Sequence, residues 1–270
     1  MKTSHKSYLT YLLIFCCLSI ITFNSCKSGD SRNQELKDQD NSNNLLIVGV
    51  SADYPPFEFI ENGEFKGLDI DLANLIGKHL NKKIEFKDLN YSYLFPALNA
   101  GQIDMAISTI TFTNERSKNF DLSNPYYFAD IAVIFNQDRL INKIADLNNK
   151  KVGVQFGSTM EMWAKALKEK ISLISMDVTL QLIEALKSKQ LDVVVLEEAQ
   201  AKEFCKKNPK LGYLVVAKAN NGYVVALKHG SKLLTEINRA LSIIKEQGDF
   251  NKLNNKWLEI LFEMEVHDAS

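Results

Sequence analysis

From residue 45 onward the chain alternates short β-rich apolar runs with segments of helical period, and it does so twice. That alternation limits the fold more than any other feature. A strand followed by a helix and another strand returns parallel to the first through a right-handed crossover. In the first unit, residues 45–50 form an apolar run that Ala52-Asp53-Tyr54-Pro55-Pro56 stops. Residues 69–80 set Ile70, Ala73, Leu75, Ile76 and Leu80 on a broad apolar face. Residues 83–87 read as a short strand and 103–110 as another. Between them Ser92 is placed to cap a helix that runs to Ala100 and stops at Gly101. Pro96 falls in its first turn, where a missing N–H costs little. A second unit begins near Ala145: strand 151–155, helix 160–167, strand 171–176, helix 179–187, strand 191–196. One more strand, 222–227, precedes two closing helices, 233–246 and 251–261. The expectation is two α/β lobes, largely parallel in their sheets, each with its own core. A chain of 270 residues with 46% hydrophobic content has room for both.

Ligands of open α/β sheets bind beyond the carboxyl ends of the strands. Four such ends, after Val50, Ile107, Gln155 and Leu196, come from the two units and face one crevice. Beyond one of them runs STITFTNERSKNFDLSNPYY, residues 108–127. It contains Arg116, whose planar fork of donors matches a carboxylate. Thr109, Thr111 and Thr113 add hydroxyls and backbone groups at the same strand end. That set suits a small zwitterion better than a reaction. The plain alternative is a surface arginine beside threonines chosen for β propensity, and the convergence of four strand ends weighs against it. Net charge is −1 and the 32 basic residues are scattered, so a nucleic-acid partner has no support. The four histidines have no metal-ligand spacing. No metal, cofactor or catalytic residue is expected.

The N-terminus reads as an export signal. Lys2, His5 and Lys6 precede an apolar run, 8–23, too short for a typical membrane span. It ends at Phe23-Asn24-Ser25-Cys26, which resembles a bacterial lipobox, with Phe23 where Leu is usual. The expectation is a signal peptide over 1–26 with acylation, palmitate included, at Cys26. Ordinary cleavage near Ser25 and an uncleaved anchor are the alternatives. Residues 27–44 hold one apolar residue, Leu36, and read as a flexible tether. Cys16 and Cys17 would leave with the leader, so Cys205 remains as a lone core thiol.

Seven segments carry a resemblance: VGVSADYPPFEF (48–59), GLDIDLANLI (67–76), LFPALNAGQIDMAISTITFTNER (94–116), DLSNPYY (121–127), KVGVQFGSTME (151–161), EALKSKQLDVVVLEEAQA (184–201) and INRALSIIKEQGDFNKLNNKWL (237–258). In this order they resemble the periplasmic amino-acid-binding proteins of ABC importers, solute-binding protein family 3. The resemblance implies a type II periplasmic-binding-protein fold of two lobes and a two-segment hinge, crossed near 133–136 and 215–224. Lobe 1 would comprise 45–134 and 223–264, and lobe 2 residues 135–222.

The resemblance also implies roles. Arg116 would clamp the ligand's α-carboxylate, helped by the amides of Thr111 and Thr159. Glu197, where the family usually has Asp, would take the α-ammonium, with Glu198 as a fallback. The Thr111 hydroxyl and the Thr109 carbonyl would complete that site. Tyr54 and Tyr91 would cover the ligand side chain, with Ser51, Ser108 and Glu58 as polar contacts. Stacked tyrosines suit a cationic side chain, whereas Ser51 stands where binders of cationic amino acids often have Asp. The implied function is a monomeric extracytoplasmic lipoprotein, in the periplasm or on the outer face of the cytoplasmic membrane. It would capture a polar or basic L-amino acid and deliver it to an ABC permease. The rival readings are an amino-acid-sensing ectodomain, a surface adhesin, and a dehydratase-like enzyme with Glu58 or Asp53 as general acid.

Overall fold

The computed structural model describes residues 44–259. The expected leader, with Cys26, and all of the expected tether except Asn44 lie outside the described residues. In chain order the first elements are β1 (Leu45–Val50), β2 (Asp53–Tyr54), β3 (Glu58–Glu61), β4 (Glu64–Lys66), α1 (Leu68–His79), β5 (Lys83–Asp88), α2 (Leu94–Asn99), β6 (Met105–Ala106) and β7 (Phe120–Leu122). There follow β8 (Ile131–Asn136), β9 (Lys151–Gln155), α3 (Thr159–Lys165), β10 (Ser172–Met176), α4 (Thr179–Lys187), β11 (Val193–Glu197), α5 (Glu198–Lys207) and β12 (Leu211–Ala217). The chain then forms β13 (Ala226–Lys228), α6 (Leu233–Glu246) and α7 (Asp249–Asn254).

These elements build two sheet-containing lobes. The first sheet has the order β5-β1-β6-β13-β7 and the second β10-β9-β11-β8-β12, beside a small β2-β3-β4 meander. In each large sheet the three strands linked through helices pair in parallel, and one strand, β13 in the first and β8 in the second, runs antiparallel to both of its neighbours. The expectation of largely parallel sheets therefore holds for the direction of four strands of five in each sheet. The exceptions have one cause. β8 and β13 are the first strands after the two crossings between the lobes, so they are not constrained by helical crossovers.

Both sheets are covered on both faces, which is why their strands are apolar runs without alternation. In β8, Ala132 and Ile134 pack with Leu182, Leu186 and Phe204 of α4 and α5. Val133 and Phe135 face Met160 and Ala164 of α3. In β1, Leu46, Val48 and Val50 face α1, and α6 and α7 return to the same core through Ile237, Leu241 and Phe250. On the other face Gly49 lets Ile103 approach so closely that a Cβ would lie 2.5 Å from its Cδ1.

Three expectations need correction. The 133–136 stretch is not a crossing. Ile131–Asn136 pairs with both β11 and β12 as an interior strand, so the chain crosses before it, within 123–130. The strand at 103–110 shrinks to Met105–Ala106, because Thr109 turns into the left-handed region (φ 46°) and gives its N–H to Asp69. Ser92 caps no helix. A 3₁₀ turn at Tyr91–Tyr93 precedes α2, and the Ser92 hydroxyl instead donates to Asp177 of the second lobe at 2.6 Å. Among the described residues no helix is long and apolar enough to cross a membrane.

Candidate functional site

The carboxyl ends of β1, β6, β9 and β11 meet at the cleft between the lobes. Arg116 lies in a 3₁₀ turn beyond β6, its amide held by Thr113 Oγ1 at 3.0 Å. The guanidinium donates from Nη1 to the Thr111 carbonyl at 2.8 Å. From Nη2 it donates to the Tyr91 hydroxyl at 3.2 Å and, across the cleft, to the Gly157 carbonyl at 3.1 Å. Its central carbon stands 5.0 Å from the Phe95 ring centre and 5.9 Å from that of Tyr91, within cation–π range. No carboxylate pairs with Arg116 among the described residues.

Glu197 closes β11 from the opposite lobe and is only 5% exposed. The Tyr54 hydroxyl donates to its Oε2, again across the cleft. Burial holds the Glu197 carboxyl above the usual range, although the bond from Tyr54 and the distant charge of Arg116 oppose the shift. Thr159 is the first residue of α3, and its hydroxyl reaches Thr111 Oγ1 at 3.3 Å. That helix is capped by Ser158, whose Oγ accepts the Glu161 amide at 3.2 Å. Tyr54, Tyr91, Thr109, Thr159 and Glu197 line one small closed cavity, together with Gln155, Ser158 and Met160. Thr111 lines the space beside it.

Ser51 and Ser108 lie beneath this cavity rather than on its wall. Ser108 Oγ accepts the Ser51 amide at 3.0 Å and donates to Glu58 Oε1 at 2.7 Å. Glu198 turns away. Its amide bonds the Asp130 carbonyl at 2.8 Å, and its side chain lines a separate cavity of about 490 Å³ behind the hinge with Tyr127 and Phe128.

Under the floor sits a buried acidic pair. Asp69 accepts the Thr109 amide at 2.8 Å and the Tyr126 hydroxyl at 2.9 Å, and it bonds Glu58. Burial pushes Asp69 up to about 7. Burial and the neighbouring Asp69 drive Glu58 well above the ordinary range, so the pair holds its protons more tightly than exposed carboxyls do. Asp53, also in this lobe, is raised to about 6 by burial. No lysine or arginine pairs with Asp53, Glu58, Asp69 or Glu197 among the described residues. The site therefore offers one fixed cation toward an acid-rich floor, which suits a ligand carrying both a carboxylate and positive charge.

Sequence reasoning missed Gln155, Phe95, Asp69 and the bond from Ser92. Gln155 is the last residue of β9, so the strand-end rule that drew attention to Arg116 could have found it. Asp69 is an acid on the apolar face of α1, three residues before Leu72, which is an available signal of a buried partner. Among the described residues no group of three or more His, Cys, Asp and Glu is placed to hold a metal ion. Cys205 packs against the second core, and burial raises its thiol to about 11.

Comparison with known proteins gives consistent results. Residues 46–260 match the bacterial extracellular solute-binding proteins, family 3. The arginine-binding extracellular protein ArtP of Bacillus subtilis (strain 168) is 33% identical over 257 residues, covering 93% of this chain and 98% of that one. A solved ancestral arginine-binding protein bound to arginine superposes with a TM-score of 0.76 at 38% identity, over 79% of this chain and 98% of its own. The ancestral protein solved with glutamine gives 0.77 at 37% identity, over 79% and 97%.

Proposed function

The chain belongs to the bacterial extracellular solute-binding proteins, family 3, and on that premise we propose that its cleft captures a polar or basic L-amino acid for delivery to an ABC permease. One observation carries this reading. A cation, Arg116, and an anion, Glu197, face the cleft from opposite lobes, and neither has an ionic partner among the described residues. Arg116 bonds two carbonyls and a phenol, and Glu197 accepts from a phenol. A zwitterion supplies the missing partner to each, which avoids the cost of burying unpaired charge.

In this reading Arg116 and the amides of Thr111 and Thr159 hold the α-carboxylate. Glu197, the Thr111 hydroxyl and the Thr109 carbonyl hold the α-ammonium. Tyr54 and Tyr91 cover the side chain, and Ser51 and Ser108 act from below by fixing the floor. The stretches 123–130 and 218–225 form the hinge, and the lobes close about them. The ligands named for the relatives, arginine and glutamine, support a polar or basic side chain. The protein works without catalysis, as a monomer, held at the outer face of the membrane by lipid on Cys26 after removal of the signal peptide.

Thermal unfolding against the common amino acids tests the central claim. A ligand at 100 times its dissociation constant stabilises the protein by about 2.7 kcal/mol. The expected result is a clear upward shift with at least one polar or basic amino acid. No shift with any amino acid overturns the reading.

A further inference from the structure

We infer that Asp53 is a positioning residue: carried on the first lobe, it caps helix α4 of the second, and with the Ser92–Asp177 bond it forms a clasp that sets how firmly the cleft stays shut. The inference rests on the reading of the cleft as an amino-acid site, and it concerns residues that do not line that cavity.

The helix needs the cap. α4 opens at Thr179, and the position before it is Val178, an extended residue (φ −105°, ψ 119°) whose side chain can accept nothing. The first N–H groups of a helix have no partner within it. Here Asp53 Oδ2 accepts the Thr179 amide at 2.5 Å, and the carboxylate also takes the Leu180 amide. Two residues before α4, Asp177 Oδ1 accepts the Ser92 hydroxyl at 2.6 Å. The Asp177 carbonyl is fixed within its own lobe by Gln155 Nε2 at 3.3 Å. Residues 177–180 are thus gripped by the first lobe at two points. Both grips lie at the start of a nine-residue helix, whose positive end favours a carboxylate.

Closure has a proton signature. Groups facing Asp53 are the Ser51 hydroxyl, the Thr179 and Leu180 amides, and the carboxyls of Asp88 and Glu58. Desolvation outweighs the donors and lifts Asp53 from 3.8 to about 6 in the closed cleft. With the lobes apart, solvent returns the carboxyl toward its ordinary value. The closed state therefore binds more protons between these values. Closing takes up a proton there, and closure weakens as pH rises through about 6.

Three variants separate the possibilities. Asp53→Ala removes the cap. Thr179→Pro removes the donor instead; proline suits the first helical position, and Val178 already has the extended backbone that proline demands. Asp53→Asn keeps an acceptor without the charge. Losing a cap corresponds to about 2- to 30-fold in affinity. Calorimetry should show that loss for Asp53→Ala and Thr179→Pro, by one factor across all amino acids bound, from faster dissociation. Small-angle scattering of the ligand-free protein should show a larger open fraction for both. Asp53→Asn, without the charge whose desolvation opposes closure, should bind at least as tightly as wild type at neutral pH and lose the proton uptake on binding seen at about pH 5 in buffers of different ionisation heat. Unchanged affinity and scattering in the first two variants overturn the clasp. A factor that differs between amino acids also overturns it, because Asp53 would then touch ligand. If no amino acid binds but the free Asp53→Ala protein opens, the clasp stands and the ligand reading falls.

Discussion

Replacing Arg116 by alanine removes the guanidinium from the cleft and leaves a bound carboxylate buried without its fork of donors. The guanidinium bonds the Thr111 and Gly157 carbonyls and the Tyr91 hydroxyl. Each of these is a charge-assisted bond that a ligand carboxylate would replace with a stronger, two-pronged one. Truncating one member of such a buried pair costs roughly 2–5 kcal/mol, or about 30- to 5,000-fold in dissociation constant. Arg116→Lys keeps the charge and loses the fork, so it should fall between alanine and wild type. Folding is affected less, because the side chain has no ion pair among the described residues, and its stacking on Phe95 is worth only about 0.5–1 kcal/mol at a partly exposed site. The assay is titration calorimetry with the best amino acid from the thermal screen, beside thermal unfolding of both free proteins. Affinity within a small factor of wild type in Arg116→Ala, with the fold intact, would refute the assignment of the carboxylate to Arg116.

The buried pair beneath the floor makes stability depend on pH. Asp69 near 7 and Glu58 well above its usual range hold protons that an unfolded chain releases near 4, so their contribution is complete at acid pH and lost as pH rises through about 7. Glu58→Gln keeps an acceptor for Ser108 and supplies Asp69 with a permanent donor. It should raise the melting temperature at about pH 8 and flatten its fall with pH, by up to about 1.4 kcal/mol per pH unit for one group; an unchanged slope would remove the pair from the account. At the other end of the chain, Cys26→Ala should move the exported protein from the membrane fraction to the soluble fraction, and continued sedimentation with membranes would count against a lipid anchor.

How much of this was legible depended on how local the cause was. Residues 45–50, 151–155 and 233–246 show in sequence because each buries a face that its own period reveals, and their bounds agree with Leu45–Val50, Lys151–Gln155 and Leu233–Glu246. Ile131–Asn136 and Leu211–Ala217 did not show as paired neighbours, because antiparallel strands beside a crossing carry no βαβ signal. The truncated strand at 105–106 has its cause forty residues away, in the carboxylate of Asp69 that claims the Thr109 amide. Arg116 was visible as a candidate because residue type and strand end coincide in one segment. Asp53 was not, since the amide it accepts lies 126 residues downstream and nothing near Asp53 in sequence records it.

The two lobes contribute unequally, and this bears on what an affinity for this cleft means. The first lobe supplies side chains: Arg116, Tyr54, Tyr91 and the acids beneath them. The second supplies backbone, the Gly157 carbonyl and the Thr179 amide, together with the carboxylates of Glu197 and Asp177. In the closed cleft these groups bond one another, Arg116 to Gly157 and Tyr54 to Glu197. An incoming zwitterion therefore exchanges bonds rather than adding them, and the measured affinity is the difference between two satisfied states. A change at Arg116 removes contacts from both states, while a change at Asp53 acts on the closing equilibrium that both share. The first should weaken every ligand through the carboxylate they share, by the larger factor; the second should scale all of them together by the smaller one.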